Sequence, residues 1–249
     1  MKRLSLSRIR RTERTQMRKY ERFGENVFLQ ALREQAENYQ DFQPQIMIDA
    51  YKRFYERVFV DAAERGLRIV RQTNKKDFIP SSFFLTTWRN WIGDFIENDV
   101  VMRGLIANVN ERTLKEIGKA LGEGLELGLT TGELQRSIIE FVGSKSRAKG
   151  IAMTEATRAN AEGKLRSADI WQAETGEELW KLWVHSGNPK EPRLNHIALQ
   201  DKPIRKTELF NNGLDKPGDP NGSASETVRC QCTIVYVSKD YVDRFYPNI

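Results

Sequence analysis

Apolar residues recur at spacings of three and four along the first two thirds of the chain, the period of an α-helix with one face turned inward. Over residues 8–36, Ile9, Met17, Tyr20, Phe23, Val27, Phe28, Leu32 and Ala36 share one broad face, which ends in a polar turn before Pro44. This predicts one long helix, frayed over its first two turns. A second helix is expected over 45–70, carrying Ile46, Ile48, Tyr51, Phe54, Tyr55, Val58, Phe59 and Ala62, with Gly66 near its end. Residues 72–80 read as a loop. Ser81 or Ser82 can cap a third helix, in which Phe84, Leu85, Trp88, Trp91, Ile92, Phe95 and Ile96 form an aromatic-rich stripe. Packing against neighbouring helices is the common use of such a stripe, and a base-stacking platform the rarer one. Helical spacing resumes over 111–127 and is broken by the turn from Gly128 to Gly132. Thr131 is then placed to start a helix running to Phe141, and a further helix is expected over 145–173.

The period changes after Gly176. Residues 179–184 (Leu-Trp-Lys-Leu-Trp-Val) and 233–237 (Thr-Ile-Val-Tyr-Val) read as strands, separated by a stretch rich in Gly, Pro, Asn and Asp over 209–225. The fold class expected is α+β and predominantly α: an extended N-terminal helical region followed by a small C-terminal α+β domain with a few short strands. The boundaries drawn are a basic arm at 1–22, an elongated helical region at 23–143 and a compact domain at 144–249.

Composition refines this plan in one place. The chain of 249 residues carries a formal charge of +6, but residues 1–22 alone hold nine basic and two acidic residues, a local charge of +7. The other 227 residues sum to −1. A body of mixed sign with a basic arm argues against a uniformly basic nucleic-acid coat. The arm, with Lys2, Arg3, Arg8, Arg10, Arg11, Arg14, Arg18 and Lys19, leaves three readings open: it lies on an acidic protein surface, touches phosphates, or is simply solvated. No apolar run is long enough to cross a bilayer, and no apolar segment behind the N-terminal charges makes a secretory signal, so the cytoplasm is the expected site of synthesis and assembly.

Reactive side chains gather near the C-terminus. Both histidines, His185 and His196, and both cysteines, Cys230 and Cys232, lie in the last 65 residues, with Asp201 between them. A single intervening residue disfavours a mutual disulfide, so the cysteines are reduced thiols or ligands. Zinc accepts imidazole and thiolate, which makes His196, Cys230 and Cys232 candidate ligands, although the spacing is not that of a finger or ribbon. The commoner arrangement, and the one expected ahead of zinc, is a pair of small, partly buried thiols at a strand entrance beside a hydrogen-bonded histidine, with no cofactor. A hydrolase or nuclease acting on DNA would draw on His185, His196, Asp201 and the two cysteines, but Glu191, Asp201 and Glu208 fall in no recognisable register, and no catalytic residue is assigned. There is no glycine-rich phosphate loop. Glu155 and Arg158, three apart on a helix, are most simply a surface or inter-element ion pair.

Four ordered motifs across the last third carry a resemblance. The run Arg147-Ala-Lys-Gly-Ile-Ala-Met-Thr154-Glu155-Ala-Thr-Arg158-Ala-Asn160 resembles a helix of the phage Mu F-like head morphogenesis proteins, minor head proteins of tailed phages. It is followed by a Trp-containing strand (Trp180, Trp183) and then by Arg193-Leu-Asn-His196-Ile-Ala-Leu199, similar to the family's Arg-x-x-His-x-x-Leu. Pro217-Gly-Asp219-Pro220 resembles its Pro-Gly-Asp-Pro turn, and Cys230-Gln-Cys232 its Cys-Arg-Cys strand opening. The chain departs from the family where an Asp would precede Arg193, where an Asp-Gly would follow Leu199, and where Arg229 replaces an Asn. The resemblance implies a structural minor capsid protein of the virion, bound to the portal vertex inside the head, that aids assembly and the handling of DNA in packaging or ejection. The implied partner is the portal protein, with the major capsid or scaffolding protein and packaged double-stranded DNA as further partners. It implies scaffold roles for Thr154, Glu155, Arg158, Arg193, His196, Pro217, Asp219 and Pro220.

Overall fold

The computed structural model describes residues 3–74, 83–187, 192–247 and 249, with the side chains of 83–86 outside that description. Lys2, Ser81, Ser82 and Glu191 therefore lie outside the described residues, as do the side chains of Phe84 and Leu85. Long helices dominate, as the periodicity predicts: α1 (Leu6–Glu37), α2 (Pro44–Thr73), α3 (Phe83–Glu97), α4 (Val100–Glu126), α5 (Thr131–Val142) and α6 (Lys145–Thr175). The C-terminal third follows with β1 (Leu179–Val184), α7 (Leu194–Ala198), β2 (Ile204–Arg205), α8 (Ala224–Thr227), β3 (Thr233–Ser238) and α9 (Lys239–Phe245). The strands form one antiparallel sheet in the order β2-β1-β3, with Trp180 opposite both Arg205 and Val237. The protein is thus predominantly α with a small α+β portion. Among the described residues no helix is long and apolar enough to cross a membrane.

Two local expectations are corrected. Helix α4 starts at Val100, well before residue 111, because Asp99 caps it by accepting from the Val101 and Met102 N–H groups and because Met102 and Ile106 bury an apolar face ahead of the expected start. Thr130, not Thr131, caps α5. Its side chain accepts from the Glu133 N–H while Glu133 reaches back to the Thr130 N–H, a reciprocal box that satisfies two otherwise open donors.

The compact units do not follow the three sequence segments. One unit comprises Met1–Tyr20, Arg57–Trp88 and Met153–Ile249; the other comprises Glu21–Glu56 and Arg89–Ala152. Helices of about thirty residues outrun a single small core, so α1, α2 and α6 each contribute to both units. In the second unit Phe28 packs edge-on against Tyr51 at 5.1 Å, Trp91 stacks on Phe95 at 4.6 Å, and Ile117, Ala120, Leu134, Ile138 and Val142 join α4 to α5. Arg147, the first residue of the family-like run, donates to Glu116 at 2.6 Å and to Thr113 at 2.7 Å.

In the first unit the sheet residues Leu182, Val184, Val235 and Val237 form a core with Tyr241 and Val242, and Leu4, Leu6, Ile9 and Ile69 pack on it. The Leu4 N–H also donates to the Tyr241 hydroxyl at 3.0 Å. The first twenty residues accordingly belong to this unit, and from Leu6 they form the start of α1. Trp88 is buried and meets Phe59 edge-on, so the aromatic stripe serves packing. Where α2 crosses α6, a Cβ on Gly163 would stand 2.4 Å from the Phe59 carbonyl oxygen, so glycine permits the close approach. Helix α6 is buried on all sides over residues 155–164, including Thr157, Asn160, Glu162 and Lys164, and Ser167 is buried beyond them. Each of these polar groups then requires an internal partner.

Candidate metal centre and its scaffold

All of this site lies in the first unit. The short helix α7 turns His196 inward, and Arg193 just before it fixes the segment by donating to the Ser225 and Val228 carbonyls at 2.6 and 2.7 Å. Arg229 takes a left-handed backbone, φ 55°, and donates its N–H to Thr154 Oγ1 at 3.1 Å. A left-handed backbone is uncommon for a residue other than Gly, Asn or Asp, and at Arg229 the surrounding loop holds it. The bend brings Cys230 and Cys232 to the same histidine. The Cys230 carbonyl accepts from the Thr157 hydroxyl, which holds the opening of β3 against α6.

His196 Nδ1 lies 3.7 Å from both Cys230 Sγ and Cys232 Sγ, and the three side chains are only 1%, 2% and 3% exposed. Behind the ring, Nε2 lies 2.7 Å from Glu226 Oε2, and Asn195 donates to the same carboxylate at 2.9 Å. A carboxylate acceptor there favours the tautomer with hydrogen on Nε2, which points the Nδ1 lone pair at the two sulfurs. Trp183 packs edge-on to the imidazole at 4.9 Å. The Cys230 hydrogen bond draws the Cys232 thiol well below its usual range despite burial, with His196 assisting, while the same bond and burial push Cys230 up. Burial alone would lower His196, but Cys232 and then Glu226 outweigh it and raise it.

The donor atoms of His196, Cys230 and Cys232 all lie within 4.8 Å of one another, so this buried group could hold a metal ion. Tetrahedral zinc with thiolate and imidazole ligands sets its nitrogen and sulfur about 3.6 Å apart, close to the spacing observed. Three donors leave a fourth position to water or to a further ligand.

The other expected site residues fall in three places. His185 is buried near the cluster but spends Nδ1 on the Gly187 N–H at 3.1 Å, and burial lowers it. Asp201, at φ 61°, is exposed and accepts from the Tyr246 hydroxyl, so it does not join the cysteines. The remaining family-like residues form a second knot. Glu155 and Arg158 are paired as expected, but the pair is buried and not on the surface, because the loop through Gly218 closes over it. Arg158 Nε donates to the Gly218 carbonyl at 3.1 Å, and a Cβ on Gly218, φ +73°, would stand 3.0 Å from the Arg158 backbone. Asp219 shapes the turn between Pro217 and Pro220 by accepting from the Asp215 and Asn221 N–H groups, both at 2.9 Å. Sequence reasoning missed Glu226, which stands just past the polar stretch of 209–225 in the short α8 and carries no motif of its own.

The basic residues divide as well. Arg10 donates to Gln200 at 3.1 Å, Arg14 to the Ser186 carbonyl at 2.7 Å, and Arg3 lies 5.7 Å over the Tyr246 ring. Arg8, Arg11, Arg18 and Lys19 are exposed. Compared with protein-family models, with curated proteins and with solved structures, the chain matches none.

Proposed function

We propose that this chain is a structural minor head protein of a tailed phage, bound at the portal vertex inside the capsid and aiding head assembly and the handling of DNA. The observation that supports this reading most is where the family-like residues lie. Thr154, Arg158, Gly218, Arg193, His196, Cys230 and Cys232, spread over some eighty residues, hold adjoining loops through contacts to backbone or to one another. Residues that resemble a family pattern and also fasten one module are the pattern expected of a shared scaffold. Zinc is the metal we propose for the buried thiols and imidazole, in a structural role. Burial of all three donors and commitment of Glu226 to His196 favour that role, since a hydrolytic centre needs solvent access and a carboxylate available to move protons.

The competing proposal, a zinc-dependent hydrolase or nuclease acting on DNA, has the open fourth coordination position in its favour. Asp201, the acid it would draw on, is engaged by Tyr246 instead. Co-purification tests the preferred reading. The full-length chain should be retained by the portal protein of the same phage in an assembly-competent lysate, and loss of retention with every portal preparation would count against it.

A further inference from the structure

The first unit holds a cavity of about 780 Å³ where the start of α1 meets the end of α2. Its lining combines two chemistries. Leu4, Ile9 and Ile69 give it an apolar floor continuous with the sheet core, while Arg3, Arg8 and Arg68 stand around it. Arg65 and Glu13 also reach the cavity, but they are bonded to each other at 3.2 Å, so the deep end is neutralised. The uncompensated charge is therefore at the entrance. Arg8 and Arg68 are exposed, and among the described residues neither guanidinium has an ion-pair partner.

We propose that this cavity binds an acidic peptide segment that places an apolar side chain between its carboxylates. Guanidinium groups pair with carboxylates through parallel N–H donors, and the rim offers three of them above a floor suited to Leu, Ile or Phe. The volume is that of a pocket enclosing a small ligand or a few residues of an extended chain. A DNA duplex is rigid and convex, and its phosphates would have no use for an apolar floor of Leu4, Ile9 and Ile69. Recognition of this kind draws on α2 as much as on the N-terminal charges. Arg68 and Ile69 were not among the residues the sequence pattern pointed to.

The test uses the full-length chain and fluorescence anisotropy with a labelled peptide of alternating Glu and Leu. A Gln–Leu peptide, a Glu–Ser peptide and a short DNA duplex serve as comparators. The Glu–Leu peptide is expected to bind tightest, and the pair Arg8→Gln with Arg68→Gln to weaken it roughly tenfold. The pair Arg89→Gln with Lys115→Gln removes the same charge from exposed positions outside both the cavity and the basic arm and should leave binding unchanged. All four side chains are exposed, so unaltered circular dichroism is expected of both double variants. The proposal is overturned if the Glu–Leu peptide does not bind, if both double variants weaken it equally, or if the duplex binds more tightly than the peptide through Arg8 and Arg68.

Discussion

Lys164 Nζ lies 2.7 Å from Glu13 Oε2 with both side chains removed from solvent. Arg65 shares the same carboxylate at 3.2 Å and continues to Asn160 at 2.7 Å, while Lys164 and Asn160 both reach the Thr233 hydroxyl. One acidic residue in the most basic stretch of the chain thereby joins α1 to α2, α6 and β3. Replacing Glu13 with Gln would leave Lys164 buried without its counter-charge, and a loss of about 3–5 kcal/mol in urea unfolding is expected. Deletion of residues 1–22, the cut that the charge distribution suggests, should for the same reason abolish the folded state of the first unit. A truncated protein in which the amides of β1 and β3 stay protected from hydrogen exchange would contradict this.

The same carboxylate sets an acid limit. Burial would raise Glu13, but Lys164 and Arg65 outweigh it and hold it at about 2, against an ordinary 4.5. Between those values the unfolded chain binds the proton and the folded chain does not, so stability rises with pH across that window. The contribution is complete above pH 4.5 and is lost as pH falls towards 2, about 3 kcal/mol in all. Urea unfolding across this range should slope steeply in the native chain, and that share of the slope should vanish in Glu13→Gln.

Two glycines separate strain from contact. Gly213 and Gly218 both have positive φ, but a Cβ on Gly213 meets nothing within 4 Å whereas one on Gly218 meets the Arg158 backbone at 3.0 Å. Gly213→Ala should cost about 1 kcal/mol from conformation alone. Gly218→Ala should cost about 2–4 kcal/mol, because the loop must also move off Arg158. Thermal midpoints of the two variants side by side check this, and equal losses would remove the contact from the account.

Metal binding is expected to follow the donor set. Protein prepared without a histidine tag should carry about one equivalent of zinc, and His196→Ala or Cys230→Ser should abolish it. Glu226→Gln keeps the three donors but weakens the hold on the ring, so its affinity should fall about 10–100-fold in a chelator competition. An unchanged affinity in Glu226→Gln would show that the Nε2 contact does not tune the site.

Much of the fold could be read from the sequence because its helices are long and its two main strands are nearly unbroken runs of apolar and β-branched residues. Strand β1 has the limits expected, and β3 runs one residue further, to Ser238. The two-residue β2 and the short α7 and α8 carry no period at all, since their conformation is set by loops closing over the core. The cysteines and His196 were legible as residue types. Their convergence was not, because it depends on the left-handed turn at Arg229. Glu226 and Glu13 carry no motif of their own, and only nonlocal contacts to His196 and Lys164 give them their roles.

The central proposal is a structural place in a phage head, and particles test it directly. Heads purified by density gradient from a lysate expressing this gene with its neighbouring genes, analysed by quantitative mass spectrometry, should contain the chain in small and fixed proportion to the portal protein. Its absence from heads that contain portal protein, with the chain present in the soluble fraction, would contradict the account.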